Sequence, residues 1–315
     1  MRKIKIALSL IVIALVIFVL VMALNKWSFK NLSNQKYTTN TYEITENFEN
    51  IIIDITTADI KILPSADDKC KIEAYEEIDR THKVEAVNER LTITPPQQKL
   101  FPSIFNFDSP EITIYLPIKE YKILQINAST GDILIDKAFS FASLNIDVTT
   151  GNIECYASSK ENIVIEATTG DVILDSVVAS SLSLKATTGG VTVKNTNCSE
   201  NVNIDLGTGK ADLTSIRCKN LTASGTTGAT TLNDVIASEK LTLKRTTGDI
   251  TLNNCDASEI YIKVTTGNVS GSLLTGKTFD VQTTTGNKNV PATTGGMCKI
   301  EATTGDIAIT VSQSE

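Results

Sequence analysis

Six cysteines, one histidine and a rank of aspartates that follow glycine are the residues of this 315-residue sequence that could carry chemistry. In an exported protein, six cysteines would suggest three disulfides. Aspartates recurring at one phase could line up and hold a cation. Carboxylates converging in a groove could cleave a glycosidic bond, and Asp147, Glu166 and Asp205 are the candidates. His82 stands alone in the charged stretch 76–83, and a solvated loop is its expected home. A single histidine removes most zinc sites and every triad that would need a second one. No Gly-x-Ser-x-Gly elbow, phosphate-binding glycine loop or His-Glu-x-x-His occurs. A net charge of −7 argues against nucleic acid, which needs a basic face. The choice among these chemistries depends on what positions the residues.

What positions them is a repeat. A Thr-Thr-Gly or close variant recurs with its glycine at Gly131, Gly151, Gly170, Gly189, Gly209, Gly228, Gly248, Gly267, Gly286 and Gly305. With this glycine counted as zero, apolar residues fall at +2 and +4, as in Ile133/Ile135 and Ile250/Leu252. They return at +12 and +14, as in Ile163/Ile165 and Ile260/Ile262, or one position later in longer units, as in Val202/Ile204. Alternation with period two means half-buried strands, so each unit predicts two short strands and two turns. Such units cannot bury an apolar face alone, and stacking gives them a common core. The predicted fold is all-β: a β-solenoid of ~19–20-residue two-strand coils, with like positions ~4.8 Å apart. Glycine suits a corner that needs positive φ or close backbone approach. Small residues at +9 (Ala179, Cys198, Cys218, Ala237, Ala257, Gly276) predict a tight second corner.

Phase then sorts the chemistry. Cys155 is at +4, Cys298 at +12 with Cys70 in the same phase, and Cys255 at +7. These are positions where other units place apolar residues, so buried thiols are expected. Cys198 and Cys218 share +9 on adjacent coils, where ~4.8 Å is within reach of a disulfide or leaves two stacked thiols. The residue at +1 is Asp132, Asp171, Asp249 or Asp306, but also Asn152, Gly190, Lys210, Ala229, Asn268 and Asn287. That broken rank favours turn chemistry over a cation site. Adjacent threonines in a strand point to opposite sides, so Thr-Thr would offer one outward rank and no flat ice-binding face. The carboxylates near +15 and +16 share their area with Lys185, Ser224, Lys244 and Lys263, as a solvated face would. No cofactor or metal is implied.

The first forty residues hold six basic residues and no acid, leaving 23 basic and 36 acidic residues for 41–315. Arg2, Lys3 and Lys5 precede an uncharged run at 6–24, which at ~1.5 Å per residue spans roughly 28 Å. Trp27 follows at the expected interface. This predicts a cytoplasmic tip at 1–5, a transmembrane helix at 6–24 in contact with membrane lipid, and a linker at 25–40. A cleaved signal peptide is the alternative, but the run exceeds the usual ~7–15 residues. Basic residues flank both sides equally. Translocation of the long following domain favours a single-pass protein of the cell membrane with an extracytoplasmic C-terminal domain. All 17 glycines lie at or after Gly131, and six of seven prolines before it. Region 41–130 keeps the rhythm faintly, with Thr56-Thr57-Ala58-Asp59 mimicking the tick and strand-like runs at 91–94 and 112–116. A loop with Phe101, Phe105 and Phe107 lies between those runs. We read 41–130 as a degenerate β start and cap, and 131–315 as the solenoid.

The basic tip, hydrophobic helix, irregular β region and iterated Thr-Thr-Gly-Asp-Ile units resemble the bacterial putative-adhesin β-strand-repeat family of LiaG- and YvlB-like proteins. The resemblance covers roughly 41–315. It implies a β-solenoid at the bacterial cell envelope, sometimes linked to envelope stress, within a domain of unknown function. It supplies no catalytic residues. The expected function is non-enzymatic: an envelope-tethered binding or scaffold rod whose partner is a cell-wall polymer or an envelope protein. One alternative is a carbohydrate-active β-helix enzyme. The other is a structural element that self-associates through an open C-terminal edge at Ile307, Ile309 and Val311.

Overall fold

The computed structural model describes residues 36–96 and 109–312. The 6–24 run and the loop of Phe101, Phe105 and Phe107 lie outside the described residues. Among the described residues every regular element is a strand, and no helix is long and apolar enough to cross a membrane.

The chain is a β-solenoid whose coils stack in parallel and in register. Thr150 pairs with Thr169, Thr169 with Thr188, and Thr188 with Thr208. One face carries the strand that runs into each tick, such as Asn162–Thr169 and Ser181–Thr188. A second face carries the strand that leaves it, such as Ile153–Cys155 and Val172–Asp175. A third, short side was not predicted. It holds Ser158–Ser159, Val178–Ala179 and the end of Val191–Cys198, paired in parallel by Val178 with Asn197 and Ala179 with Cys198. The two-strand coil is therefore corrected to a three-sided one.

The corner that creates the third side lies at +6, not +9. Ser176, Asn195, Ser215, Asp234 and Asn254 adopt φ between 49° and 60° there. Asn, Asp and Ser tolerate this left-handed turn because their short side chains bond local backbone. The small +9 residues instead face the core: Ala179, Cys198, Cys218, Ala237 and Ala257 are all buried.

The core is a set of columns. Ile163, Ile165, Val172, Leu174 and their register mates in each coil are fully buried. Each such side chain adds about 1.5–3 kcal/mol of burial, which offsets the ordering of a short coil. An aromatic column of Phe48, Tyr121 and Phe141 packs near one end, with ring centroids 5.9 Å apart. Arg245 and Lys277 bring charge into the apolar interior of the repeat coils. Arg245 sits where Gly225 leaves room and where Val264 follows; its Nε donates to Thr230 Oγ1 at 2.6 Å, while Nη1 is buried without a partner. Lys277 donates to Asp256 Oδ1 at 2.6 Å and to Thr275 Oγ1 at 2.8 Å.

The chain leapfrogs at both ends of the rod. In order, the first strands are β1 (Tyr37–Ile44), β2 (Phe48–Thr57), β3 (Asp59–Pro64), β4 (Cys70–Glu77), β5 (Lys83–Val87), β6 (Glu89–Thr94), β7 (Glu111–Leu116), β8 (Glu120–Thr130) and β9 (Ile133–Ile135). β2 lies between β6 and β8, and β3 between β7 and β9. The earlier coil is thus covered by the later β6–β7 coil. Outside that, β4 pairs antiparallel with β7, β1 with β4, and β5 with β6. Antiparallel strands cannot continue a parallel stack, so this end is closed.

At the other end Lys277–Thr285 is outermost, and the later strand Gly296–Thr304 is inserted beneath it, against 260–266. Ile307–Val311 likewise lies between Val269–Leu273 and Lys288–Asn289. The expectation that Ile307, Ile309 and Val311 form the open edge is corrected in part: Lys277–Thr285 is the outermost strand and Lys288–Asn289 covers Ile307 and Ala308, while Ile309 and Val311 pair only on their inner side. The tick spacing fixes coil length and not stacking order. With ~4.8 Å between strands the rod is roughly 50 Å long.

Candidate functional site

The tick is a steric necessity. All ten tick glycines have φ between 120° and 149°. A Cβ on Gly170 would lie 2.0 Å from the carbonyl oxygen of Gly151, and one on Gly189 1.9 Å from that of Gly170. Each glycine thus touches the glycine of the coil below. The next residue forms a ladder. Asp132 Oδ1 accepts the Asn152 N–H at 2.7 Å, Asn152 Oδ1 that of Asp171 at 2.9 Å, and Asp171 Oδ1 that of Gly190 at 2.6 Å. It stops at Gly190, Lys210 and Ala229, which offer no acceptor, and resumes from Asp249 to Asn268 at 2.7 Å. These oxygens satisfy backbone, and no cation is needed to hold them.

The threonines differ from expectation. Thr168 and Thr169 are both exposed, as are Thr187/Thr188 and Thr246/Thr247. The strand leaves its pleat one residue before the corner: the ladder runs from Val148–Ala167 to Thr150–Thr169 and skips the residue between. Two exposed threonine columns therefore flank the ridge. Asp147, Glu166, Lys185, Asp205 and Ser224 form one register column on the face before the tick. Lys185 lies 3.9 Å from Glu166, and Ser224 donates to Asp205 at 3.0 Å. They stand on an open face with solvent above them, and no groove brings the carboxylates onto one substrate bond.

All six cysteines are buried and free. Burial pushes the thiols up, that of Cys155 to about 12 and that of Cys198 to about 11. Cys198 and Cys218 occupy one column, since their neighbours Asn197 and Arg217 are register partners, with Ala179 before and Ala237 after. They form the floor of a shallow groove of about 720 Å³ on the third side, with Ser158, Ser180, Ser199 and Val178 around them. Its cations are paired: Arg217 with Asp234 at 3.0 Å and Lys219 with Glu200 at 3.5 Å.

The expected solvated loop for His82 is corrected. His82 is only 5% exposed and Glu76 is fully buried. Glu76 Oε2 faces His82 Nδ1 at 2.7 Å and accepts the His82 backbone N–H at 2.6 Å. Its other oxygen accepts from Asn40 at 2.7 Å and from the Tyr42 hydroxyl at 3.1 Å. Burial pushes the Glu76 carboxyl up, but the hydrogen bonds from His82 and Asn40 outweigh it and hold it below the ordinary value. Burial, with the Glu76 charge beside it, pushes Tyr42 up to about 12. The cluster borders a cavity of about 390 Å³ lined by Thr56, Thr57, Arg80, Ser109 and Pro110. No local signal in the sequence marks it, because Asn40 and Tyr42 lie more than thirty residues from Glu76 and only the fold of β1 against β4 joins them. Among the described residues no three His, Cys, Asp or Glu gather as a metal cluster.

Stacked coils, a glycine ridge and a closed end are features of a known repeat domain. The family model for Toastrack DUF4097 matches residues 48–207 and 197–315. The chain belongs to this family. The Toastrack fold recurs in solved structures. A putative adhesin from Parabacteroides distasonis ATCC 8503 is 11% identical with a TM-score of 0.53, the match covering 87% of this chain and 98% of that one. A putative adhesin from Parabacteroides merdae ATCC 43184 is 15% identical with a TM-score of 0.51, covering 88% and 98%. At these identities the likeness is one of fold. No curated protein matches the chain. The resemblance read from the repeat holds at the level of family, and the Toastrack chain is a β-solenoid.

Proposed function

We propose that the chain is a non-enzymatic rod tethered in the cell membrane through residues 6–24, with the solenoid outside the cytoplasm, where it binds or scaffolds. One observation carries the reading. The described chain enters through β1, which belongs to the closed end of the rod. A tether there leaves every long face and the far end free to meet a partner. One row on those faces is largely hydroxyls and amides, Asn145, Ser183, Asn203, Thr222 and Thr242 with Val164 between the first two, and the column of Asp147, Glu166, Lys185 and Asp205 and the two threonine columns stand beside it. Hydroxyl and amide rows at a fixed ~4.8 Å spacing suit a cell-wall polymer better than an apolar protein partner.

The test begins with topology. Wall-stripped cells are treated with protease while a C-terminal tag is followed. Loss of the tag while a cytoplasmic control survives is expected; survival of the tag refutes the extracytoplasmic placement. The full chain is then mixed with isolated wall material. Sedimentation with the wall, competed by soluble wall fragments, is expected. Retention only by envelope proteins would replace the polymer with a protein partner.

A further inference from the structure

We propose that Cys198 and Cys218 form a two-coordinate site for a soft monovalent metal ion, Cu(I) or Ag(I), entered from the groove of the third side. Cys198 and Cys218 are the only cysteines on neighbouring rungs of one column; their side chains turn toward the core, and the two residues, 5% and 8% exposed, border the groove from beneath. Register fixes the distance. Like positions on adjacent coils stand ~4.8 Å apart. A disulfide wants its Cβ atoms at about 3.8 Å. Closing one would draw the two coils together by about 1 Å against the ladder that sets their spacing, which includes Lys219 N–H to the Glu200 carbonyl at 2.8 Å and Asn220 N–H to the same carbonyl at 3.2 Å.

Metal–thiolate bonds are of the order of the zinc–sulfur length, about 2.3 Å, so two laid end to end span about 4.6 Å, close to the ~4.8 Å stacking distance. The stack therefore fits a bridging ion better than a sulfur–sulfur bond. Soft thiolates favour Cu(I), and the column offers two donors where zinc takes four. On binding, each thiol loses its proton, both sulfurs bond the ion, and two protons pass to solvent. Oxidation state is unchanged throughout. The complex keeps one negative charge; Lys160, Arg217 and Lys219 border the groove, each already paired with a carboxylate. The site does not depend on which side of the membrane the rod occupies.

The test uses the full chain, with Ag(I) as a redox-inert probe and Cu(I) under anaerobic conditions. Cys198→Ala and Cys218→Ala place in the column the residue already found at Ala179 and Ala237, so the coils keep their packing. One equivalent of Ag(I) is expected to protect Cys198 and Cys218 together from iodoacetamide, read by peptide mass mapping. Either alanine variant is expected to bind at least about 100-fold more weakly, the loss found when even a supporting partner of a metal ligand is removed. Equal binding by the variants overturns the proposal. So does a metal-free chain that loses two hydrogens between these cysteines when equilibrated with glutathione disulfide, since the stack would then close covalently.

Discussion

Gly189 and Gly190 are neighbours in sequence with opposite prospects on replacement by alanine. Gly189 has φ of 138°, and an added Cβ would lie 1.9 Å from the Gly170 carbonyl oxygen and 2.6 Å from its carbon. The conformation alone costs about 1–3 kcal/mol for a residue with a side chain. The contact must also lengthen by more than 1 Å, and the atom in the way is backbone. That movement stretches Gly170 N–H to the Thr188 carbonyl at 3.0 Å and Val172 N–H to the Gly190 carbonyl at 2.9 Å, each worth about 1 kcal/mol. Gly189→Ala is therefore expected to destabilise by about 4 kcal/mol, a large part of the ~5–15 kcal/mol margin of a domain. Gly190 lies outside the left-handed region, and its nearest neighbour is Asp171 Oδ1 at 3.3 Å, the end of a mobile side chain. Gly190→Ala is expected to stay within about 1 kcal/mol of the parent, with a gain of about 0.4–1 from the less flexible unfolded chain partly offset by that contact. Urea unfolding followed by far-ultraviolet circular dichroism measures both. With a slope of about 1–3 kcal/mol per molar, the Gly189 variant should lose more than 1 M in midpoint. Equal midpoints for the two variants would mean that the glycine column is not sterically required, and the account of the ridge would fall.

Four further outcomes are expected. Gly190→Asn should extend the ladder by giving the Lys210 N–H an acceptor, raising stability by about 0.5–1.5 kcal/mol in the same urea assay. Arg245→Val should stabilise by about 1–4 kcal/mol, because it removes a buried guanidinium with an unpartnered nitrogen where Val264 already fits the column; a lower unfolding midpoint refutes this. Lys277→Ala leaves Asp256 without its partner and should cost about 3–5 kcal/mol, with hydrogen exchange rising first in 277–289 rather than throughout the rod. Glu76 has a folded pKa below its ordinary 4.5, so the stability it contributes is fully present above that value and is lost as pH falls through the folded one. The stability gap between the parent and Glu76→Gln should thus be wide at pH 7 and narrow as pH falls well below 4.5; a gap that does not change with pH would remove the charge from the explanation.

The repeat was legible because its two long sides obey simple rules. Apolar pairs at +2/+4 and +12/+14 alternate over enough residues to declare a strand, and glycine marks a corner that every coil of the tick column but that of Ala58 turns at positive φ. The third side was hidden because it is two or three residues long. Its +7 position carries Val177, Thr196, Ile216, Val235 or Cys255, too mixed and too brief for alternation to register. The Ser, Asn or Asp at +6 is a turn signal that could have revealed it. The paired threonines were misjudged because period-two reasoning assumes a straight strand, and this one bends before the tick. His82 was misplaced because its partners come from distant strands. The crossed order of coils at both ends left no trace in the spacing, since 19 residues separate Gly267 from Gly286 and Gly286 from Gly305 whichever coil lies outermost.

That crossed order has a mechanical meaning. A rope unravels from its last turn unless the free strand is tucked under the turn before it. In this rod the start of the last strand, at Ile307 and Ala308, and the β2–β3 coil are both held under turns made elsewhere in the chain. Unravelling from the last strand is therefore stopped at Ala308, beneath Asn289. A pull on the β1 side would load a closed layer whose antiparallel strands share the force, and a processive exopeptidase arriving at Val311 would meet a strand hydrogen-bonded on its inner side to Val269–Leu273. Resistance to peeling comes from the route of the chain as well as from the depth of its core.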